Sequence, residues 1–154
     1  SLLKAFKIDD LFEVSGTTTT KIHELNLYGH GNFPYITTQS SNNGVEGFYN
    51  YYTEKGNVLV IDSAAAGFCS YQEHNFSASD HVEKLVPRFS LNKYIGLFIV
   101  TMINLDKYRY NYGRKCNQKK IKDALIKLPA DSAGSPDWQF MENYIKALPY
   151  SDKI

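Results

Sequence analysis

The stretch from Ser90 to Asp106, SLNKYIGLFIVTMINLD, constrains the fold more than any other in the chain. Read at helical spacing, it is apolar on almost every side. Such a helix should be largely buried, so other elements must wrap it. Ser90 is its expected N-cap. Its apolar run, YIGLFIVTMI (94–103), is too short to span a bilayer.

The wrapping elements read mostly as short strands. GNVLVIDS (56–63) predicts a buried strand entered through a Gly-Asn turn. Further strands are expected over Phe68 to Tyr71, 81–87 and 123–129, the last two closed by Pro87 and Pro129, whereas GHGNFPYITTQSSNNGVEGF (29–48) reads as loop-rich around a short apolar core, Phe33 to Ile36. FKIDDLFEVS (6–15) mixes apolar and acidic residues and runs into a β-prone GTTTT. DSAAAG (62–67) reads as a tight turn, because it lacks the glycine and lysine spacing of a phosphate-binding loop. SPDWQFMENYIKAL (135–148) predicts a second helix, with Ser135 as N-cap and Pro136 at its first position. Trp138, Met141, Tyr144, Ile145 and Leu148 give that helix one apolar face. With 154 residues the chain suits one domain, a mixture of helices and strands with long loops. Loops of that length are more often functional than idle.

Formal net charge is +1, so total charge points to no polyanionic partner. Its distribution does. Seven of the seventeen Lys and Arg fall between Lys107 and Lys122 with no acid among them, which leaves the remainder about six units negative. A basic patch on a mildly acidic body suits a protein that turns one face to a polyanion. Within it, KYRYNYGRK (107–115) alternates with period two. An extended segment would put Lys107, Arg109 and Asn111 on one face and Tyr108, Tyr110 and Tyr112 on the other. The cations would reach phosphates while the tyrosines pack down. A solvated edge strand that uses its lysines against aggregation explains the same composition, and the two readings stand level on it.

TTQSSNNG (37–44) is eight small residues, nearly all able to donate and accept hydrogen bonds. Gln and Asn can grip an adenine edge bidentately, and Ser and Thr contact bases or phosphates. On its own the segment reads first as a surface loop. No Cys-x-x-Cys or His-Glu-x-x-His spacing suggests a metal, and no cofactor motif occurs. Cys69 and His74 could be imagined as a nucleophile and base, but nothing in sequence orients them, and single cysteines are mostly buried hydrophobes. Asp9 and Asp10 are expected to face water. No residue is assigned a catalytic role. Two cysteines fit a reduced, cytoplasmic setting. The lack of an initiator Met and of a signal peptide, with the abrupt end at YSDKI, raises the expectation of a fragment cut from something larger.

The order of the pieces adds to this. DDLFEVSGTTT, FPYITTQSSNNGVEGF, GNVLVIDSAAAGFCSYQEHNFSASDHVEKL, a buried helix followed by YRYNYGRK, and IKDALIKLPADSAGSPDWQFMENYIKAL together resemble the target recognition domain of restriction–modification specificity subunits. The resemblance covers nearly the whole chain and looks closest to the branch that works with combined methylase–nuclease enzymes. It implies an α+β fold: a curved, mostly antiparallel or mixed β-sheet with flanking helices and long DNA-reading loops. It also implies a recognition domain over residues 1–134, with residues 135–154 starting a connecting helix and tail. The implied partners are double-stranded DNA and a methyltransferase or nuclease subunit or domain that supplies the chemistry. Carried over by position, Thr37, Thr38, Gln39, Ser41, Asn42 and Asn43 match a first recognition loop. Tyr71 and Gln72 lie by a second. Lys107, Tyr108, Arg109, Tyr110, Tyr112, Arg114, Lys115 and Lys119 match the backbone-contacting segment. On that basis Gln39 and Asn43 are expected to set sequence preference, and Arg109 and Arg114 to set affinity on any duplex. Two readings compete with this one: a nonspecific module for single-stranded DNA or RNA, and a small hydrolase built on Cys69 and His74.

Overall fold

A computed structural model describes residues 2–64, 67–106 and 117–154. The stretch KYRYNYGRK, and with it the DNA contacts expected of Lys107, Tyr108, Arg109, Tyr110, Tyr112, Arg114 and Lys115, lies outside the described residues. In chain order the elements are β1 (Leu2–Lys7), α1 (Ile8–Leu11), β2 (Phe12–Gly16), α2 (Ile22–Leu25), β3 (His30–Ile36), β4 (Val45–Tyr49), β5 (Val58–Asp62), β6 (Cys69–Gln72), β7 (Ser77–Ala78), β8 (Val82–Pro87), α3 (Lys93–Leu105), α4 (Gln118–Asp123), β9 (Leu125–Ala130) and α5 (Trp138–Lys146). The class is α+β. The strands form three small sheets: β1-β9, β2-β8-β5-β6 and β4-β3-β7, antiparallel throughout except for β3 beside β7.

The run VLVID explains why β5 is central. Its four apolar residues, Val58 to Ile61, are buried because apolar cores lie on both faces of its sheet, and the closing Asp62 is buried too, with its carboxylate accepting from the Ala64 N–H. Leu59 and Ile61 point into the main core, which they share with Ile95, Phe98, Ile99 and Ile103 of α3 and with Met141 and Ile145 of α5. Val58 and Val60 point the other way, to Ile36, Phe76 and Ala78 under the three-stranded sheet. Alternate residues of a strand face opposite sides, so only an uninterrupted apolar run can serve two cores.

Helix α3 is buried as its pattern predicts, but its start differs. Asn92, not Ser90, is the N-cap; its side chain accepts from the Ile95 N–H at 3.0 Å. The intervening Leu91 is buried, and its carbonyl accepts from the Asn57 side chain, which keeps 90–91 out of the helix. Helix α5 shows the same kind of shift. Pro136 pairs with Ala130 in an isolated bridge, so the chain is still extended there, and Asp137 caps the helix by accepting from the Phe140 N–H. The threonines after Gly16 do not form a strand. Thr19 makes one bridge to Ala78, and the Thr18 N–H is taken by the buried carboxylate of Glu54. Pairing at this end of the chain falls instead to Leu2–Lys7, which runs beside β9.

Candidate nucleic-acid interface

The four-stranded sheet ends at β6. The backbone groups of Ser70 and Gln72 face β5, so those of Cys69 and Tyr71 face outward, where an edge strand offers unpaired donors and acceptors. Two asparagines fill them. The Asn104 side chain, on the last turn of α3, accepts from the Cys69 N–H and donates to its carbonyl, both at 2.9 Å. One step along the edge, the Asn43 side chain donates to the Tyr71 carbonyl at 3.0 Å. The loop 37–44 and the end of α3 are thereby pinned to adjacent positions on one edge, roughly 7 Å apart along the strand.

The loop closes the β3–β4 hairpin. The Thr37 N–H donates to the Gly44 carbonyl at 2.9 Å, and the Gly44 N–H to the Ser41 carbonyl at 3.0 Å. Asn42, Asn43 and Gly44 all take left-handed backbone conformations, with φ of 52°, 55° and 78°. Asparagine and glycine tolerate that region better than other residues, which is the local reason for NNG at the tip. The side chains reinforce the bend. Gln39 donates both amide hydrogens, to the Ser41 carbonyl at 3.1 Å and the Val45 carbonyl at 2.8 Å. Asn42 donates to the same Val45 carbonyl at 3.0 Å, and the Thr37 hydroxyl accepts from the Gln39 N–H. Thr37, Thr38 and Gln39 are half-buried, whereas Ser40, Ser41, Asn42 and Asn43 are exposed.

Tyr71 and Gln72, expected as contact residues, are buried beneath this loop. Gln72 donates to the Asn43 carbonyl at 2.8 Å and to the Ser70 hydroxyl at 2.9 Å. The Tyr71 hydroxyl donates to the Asn57 side chain at 2.8 Å, its ring lies on Gly96 of α3, and burial pushes its pKa up to about 12. All four residues of β6 are buried, because α3 covers one face of the strand and the loop its free edge. In this arrangement the Gln72 side chain supports the loop, and the Tyr71 side chain seats α3 on the strand. Beside it, an open groove of about 300 Å³ runs between Val45, Phe48, His74, Lys93 and Leu97.

Lys119 is exposed on α4, but far from the loop. α4 packs on β2, at the opposite edge of the four-stranded sheet from β6; the two edge strands are three strand spacings, or roughly 14 Å, apart. The undescribed basic stretch links these places: the chain leaves α3 beside Cys69 and re-enters at α4, where Gln118 bonds Glu83 at 3.0 Å. Both points lie at the same end of the sheet, because Cys69 pairs with Ile61 and Glu83 with Ile61 and Gly16.

Cys69 cannot serve as the nucleophile once imagined. It is fully buried, and burial pushes its thiol up, away from the reactive thiolate, while His74 is exposed. Among the described residues no three His, Cys, Asp or Glu cluster to hold a metal ion, and no helix is long and apolar enough to cross a membrane. Asn104 was missed in the sequence. The signal was a lone amide at the end of an otherwise apolar, buried helix. Several tyrosines pack on aromatic neighbours by the β3–β4 hairpin, with Tyr28 stacked on Tyr51 at 4.2 Å and Phe33 against Tyr52 at 4.7 Å.

The fold is that of solved specificity subunits of type I restriction–modification systems. It matches the S subunit from M. genitalium with a TM-score of 0.72 at 10% identity, over 94% of this chain and 38% of that one. It matches the HsdS subunit from Thermoanaerobacter tengcongensis with a TM-score of 0.62 at 10% identity, over 92% and 36%. The sequence then fixes the family. The model described as type I restriction modification DNA specificity domain matches residues 2–150, and the chain belongs to that family. A curated relative, the type II restriction enzyme BgcI specificity subunit S.BcgI of Heyndrickxia coagulans, is 34% identical over 150 residues. The chain thus spans 93% of itself but 42% of that relative's length. The family is one of specificity rather than catalysis.

Proposed function

We propose that this chain recognises a short sequence in double-stranded DNA and directs a partner methyltransferase or endonuclease, subunit or domain, to it. The reading has the chain act in the cytoplasm, without cofactor or metal of its own. The loop 37–44, exposed at its tip, meets the bases. The basic stretch 107–115 and Lys119 hold phosphates, where counterion release supplies sequence-independent affinity. Residues 1–134 form the recognition domain, and residues 135–154 begin the segment that leads out of it.

The observation that carries this reading is the pair of asparagines on the β6 edge. They fasten a polar, solvent-facing loop beside the point where the chain enters its most basic stretch. Phosphate contacts position a protein on a duplex and base contacts specify the site, so the two need a common frame.

Enrichment of random-sequence duplexes on the 154-residue chain, at low and at physiological salt and with single-stranded competitor, tests it. A single motif retained at the higher salt is the expected result. Binding that follows only salt, or that the single strand abolishes, would instead establish a nonspecific nucleic-acid module.

A further inference from the structure

A side chain that reads a base edge needs hydrogen-bonding groups that are exposed and not already engaged. Adenine is gripped by an amide that donates through its nitrogen and accepts through its oxygen at once. In the 37–44 loop that test separates the residues sharply. Gln39 has spent both amide hydrogens on the Ser41 and Val45 carbonyls and is half-buried. Asn43 is held at two points, through its side chain to the Tyr71 carbonyl and through its own carbonyl to Gln72. The Thr37 hydroxyl is turned in to the Gln39 N–H. Thr38 is half-buried at the base of the loop, which leaves Ser40, Ser41 and Asn42 at the exposed tip. Neither serine hydroxyl bonds another described residue, and among the described residues Asn42 donates only to the Val45 carbonyl, which leaves it one amide hydrogen and its oxygen.

We propose that Ser40, Ser41 and Asn42 are the residues of this loop that read bases, and that Gln39 and Asn43 are positioning residues that shape the tip. The assignment rests on the reading of the chain as a sequence-specific duplex binder. It reverses the order of importance that composition suggests, because the two amides best suited to adenine by type are used to build the loop. The loop meets DNA already folded: three successive left-handed residues, six side-chain or backbone bonds within it and two to β6 fix its shape. Little ordering cost is then left for binding.

The test starts from the duplex that the wild-type chain enriches and a panel carrying single base-pair changes. S40A and S41A remove hydroxyls without touching a bond of the loop. N42G keeps the left-handed backbone that alanine would strain. At least one of these three should lose about tenfold in discrimination at one or two base pairs. It should keep its affinity for unrelated duplex and its melting temperature. Q39A and N43G should weaken binding to the enriched duplex while leaving the pattern of preferred bases at every position unchanged. The assignment is overturned if all three tip variants keep wild-type discrimination throughout, or if Q39A or N43G changes the preferred base at a single position. A wild-type chain with no preferred duplex would sink the parent reading, and this one with it.

Discussion

Asn43 and Gln72 hold one another across the gap between a surface loop and a buried strand. Gln72 donates to the Asn43 carbonyl at 2.8 Å, and the Asn43 side chain donates to the carbonyl of Tyr71, next to Gln72. Gln72 is buried, so removing its amide leaves the Asn43 carbonyl and the Ser70 hydroxyl short of a donor. Gln72→Ala is expected to cost about 2–3 kcal/mol, the sum of two lost bonds and a small cavity. Hydrogen exchange at the Gly44 amide, which closes the loop tip, should rise in the same variant. Chemical unfolding and exchange measured together check this; unchanged protection at Gly44 would show that the loop holds its shape without Gln72.

Gly96 lets α3 lie directly on β6. A Cβ at this position would stand 2.6 Å from the Tyr71 ring, closer than real contacts allow. The ring cannot retreat without losing its hydroxyl bond to Asn57. Gly96→Ala gains helix propensity worth up to about 1 kcal/mol, but overpacking of a filled core costs about 1–3 kcal/mol. The net expectation is a destabilised protein with a lower melting temperature. An alanine variant as stable as the wild type would mean that helix and strand can separate by the needed distance.

These contacts mark where sequence stops being a guide. β5 and α3 were legible because their apolar spacing is a local property: VLVI (58–61) without a polar break, and a helix apolar on nearly all sides. The cap positions were off by two residues because they depend on partners outside the helices, the Asn57 side chain for Leu91 and the Ala130 bridge for Pro136. β1 was missed altogether. LLKAFK has no strict alternation, and its pairing partner lies more than a hundred residues away in β9. In the loop, residue types were read correctly as hydrogen-bonding, yet which amides are spent on the backbone depends on how three consecutive left-handed residues turn the tip, and NNG signals the bend without saying which side chains it turns inward. Tyr71 and Gln72 were singled out by resemblance alone; a strand buried on both faces and at its edge leaves no polar alternation to correct them.

Glu54 links the two sides of the β5–β8 region. Its carboxylate accepts from Lys84 at 2.8 Å and from the Thr18 N–H at 3.1 Å, with only 4% of the residue exposed. Burial pushes its pKa up, but the Lys84 ammonium and the Thr18 amide outweigh that and hold it below the ordinary carboxylate value of 4.5. A carboxyl that binds its proton less well when folded adds stability above its unfolded pKa, and that stability is lost as pH falls through the folded value. The wild type should therefore lose melting temperature below about pH 4.5 more steeply than Glu54→Gln, which has no charge to lose. At pH 7 the variant should be less stable by about 2 kcal/mol, the worth of a charge-assisted bond. Parallel pH dependences for the two proteins would show that acid sensitivity arises elsewhere.

Affinity and specificity should separate between the two edges of the sheet. Lys119 is exposed on α4, which packs on β2, while the reading loop is fastened to β6, and those two edge strands lie about 14 Å apart. A lysine so placed can meet a phosphate but not the base pair under the loop. Lys119→Ala is expected to weaken binding to every duplex by a similar factor and to lower the slope of log affinity against log salt by about 1. Arg109→Ala and Arg114→Ala should do the same, since each removes one cation from the basic stretch. Titrations of the enriched duplex and of an unrelated one at several salt concentrations distinguish the cases. A cation variant that changes the ratio between the two duplexes, with its salt slope unaltered, would place that residue at a base edge and move part of the reading function out of the 37–44 loop.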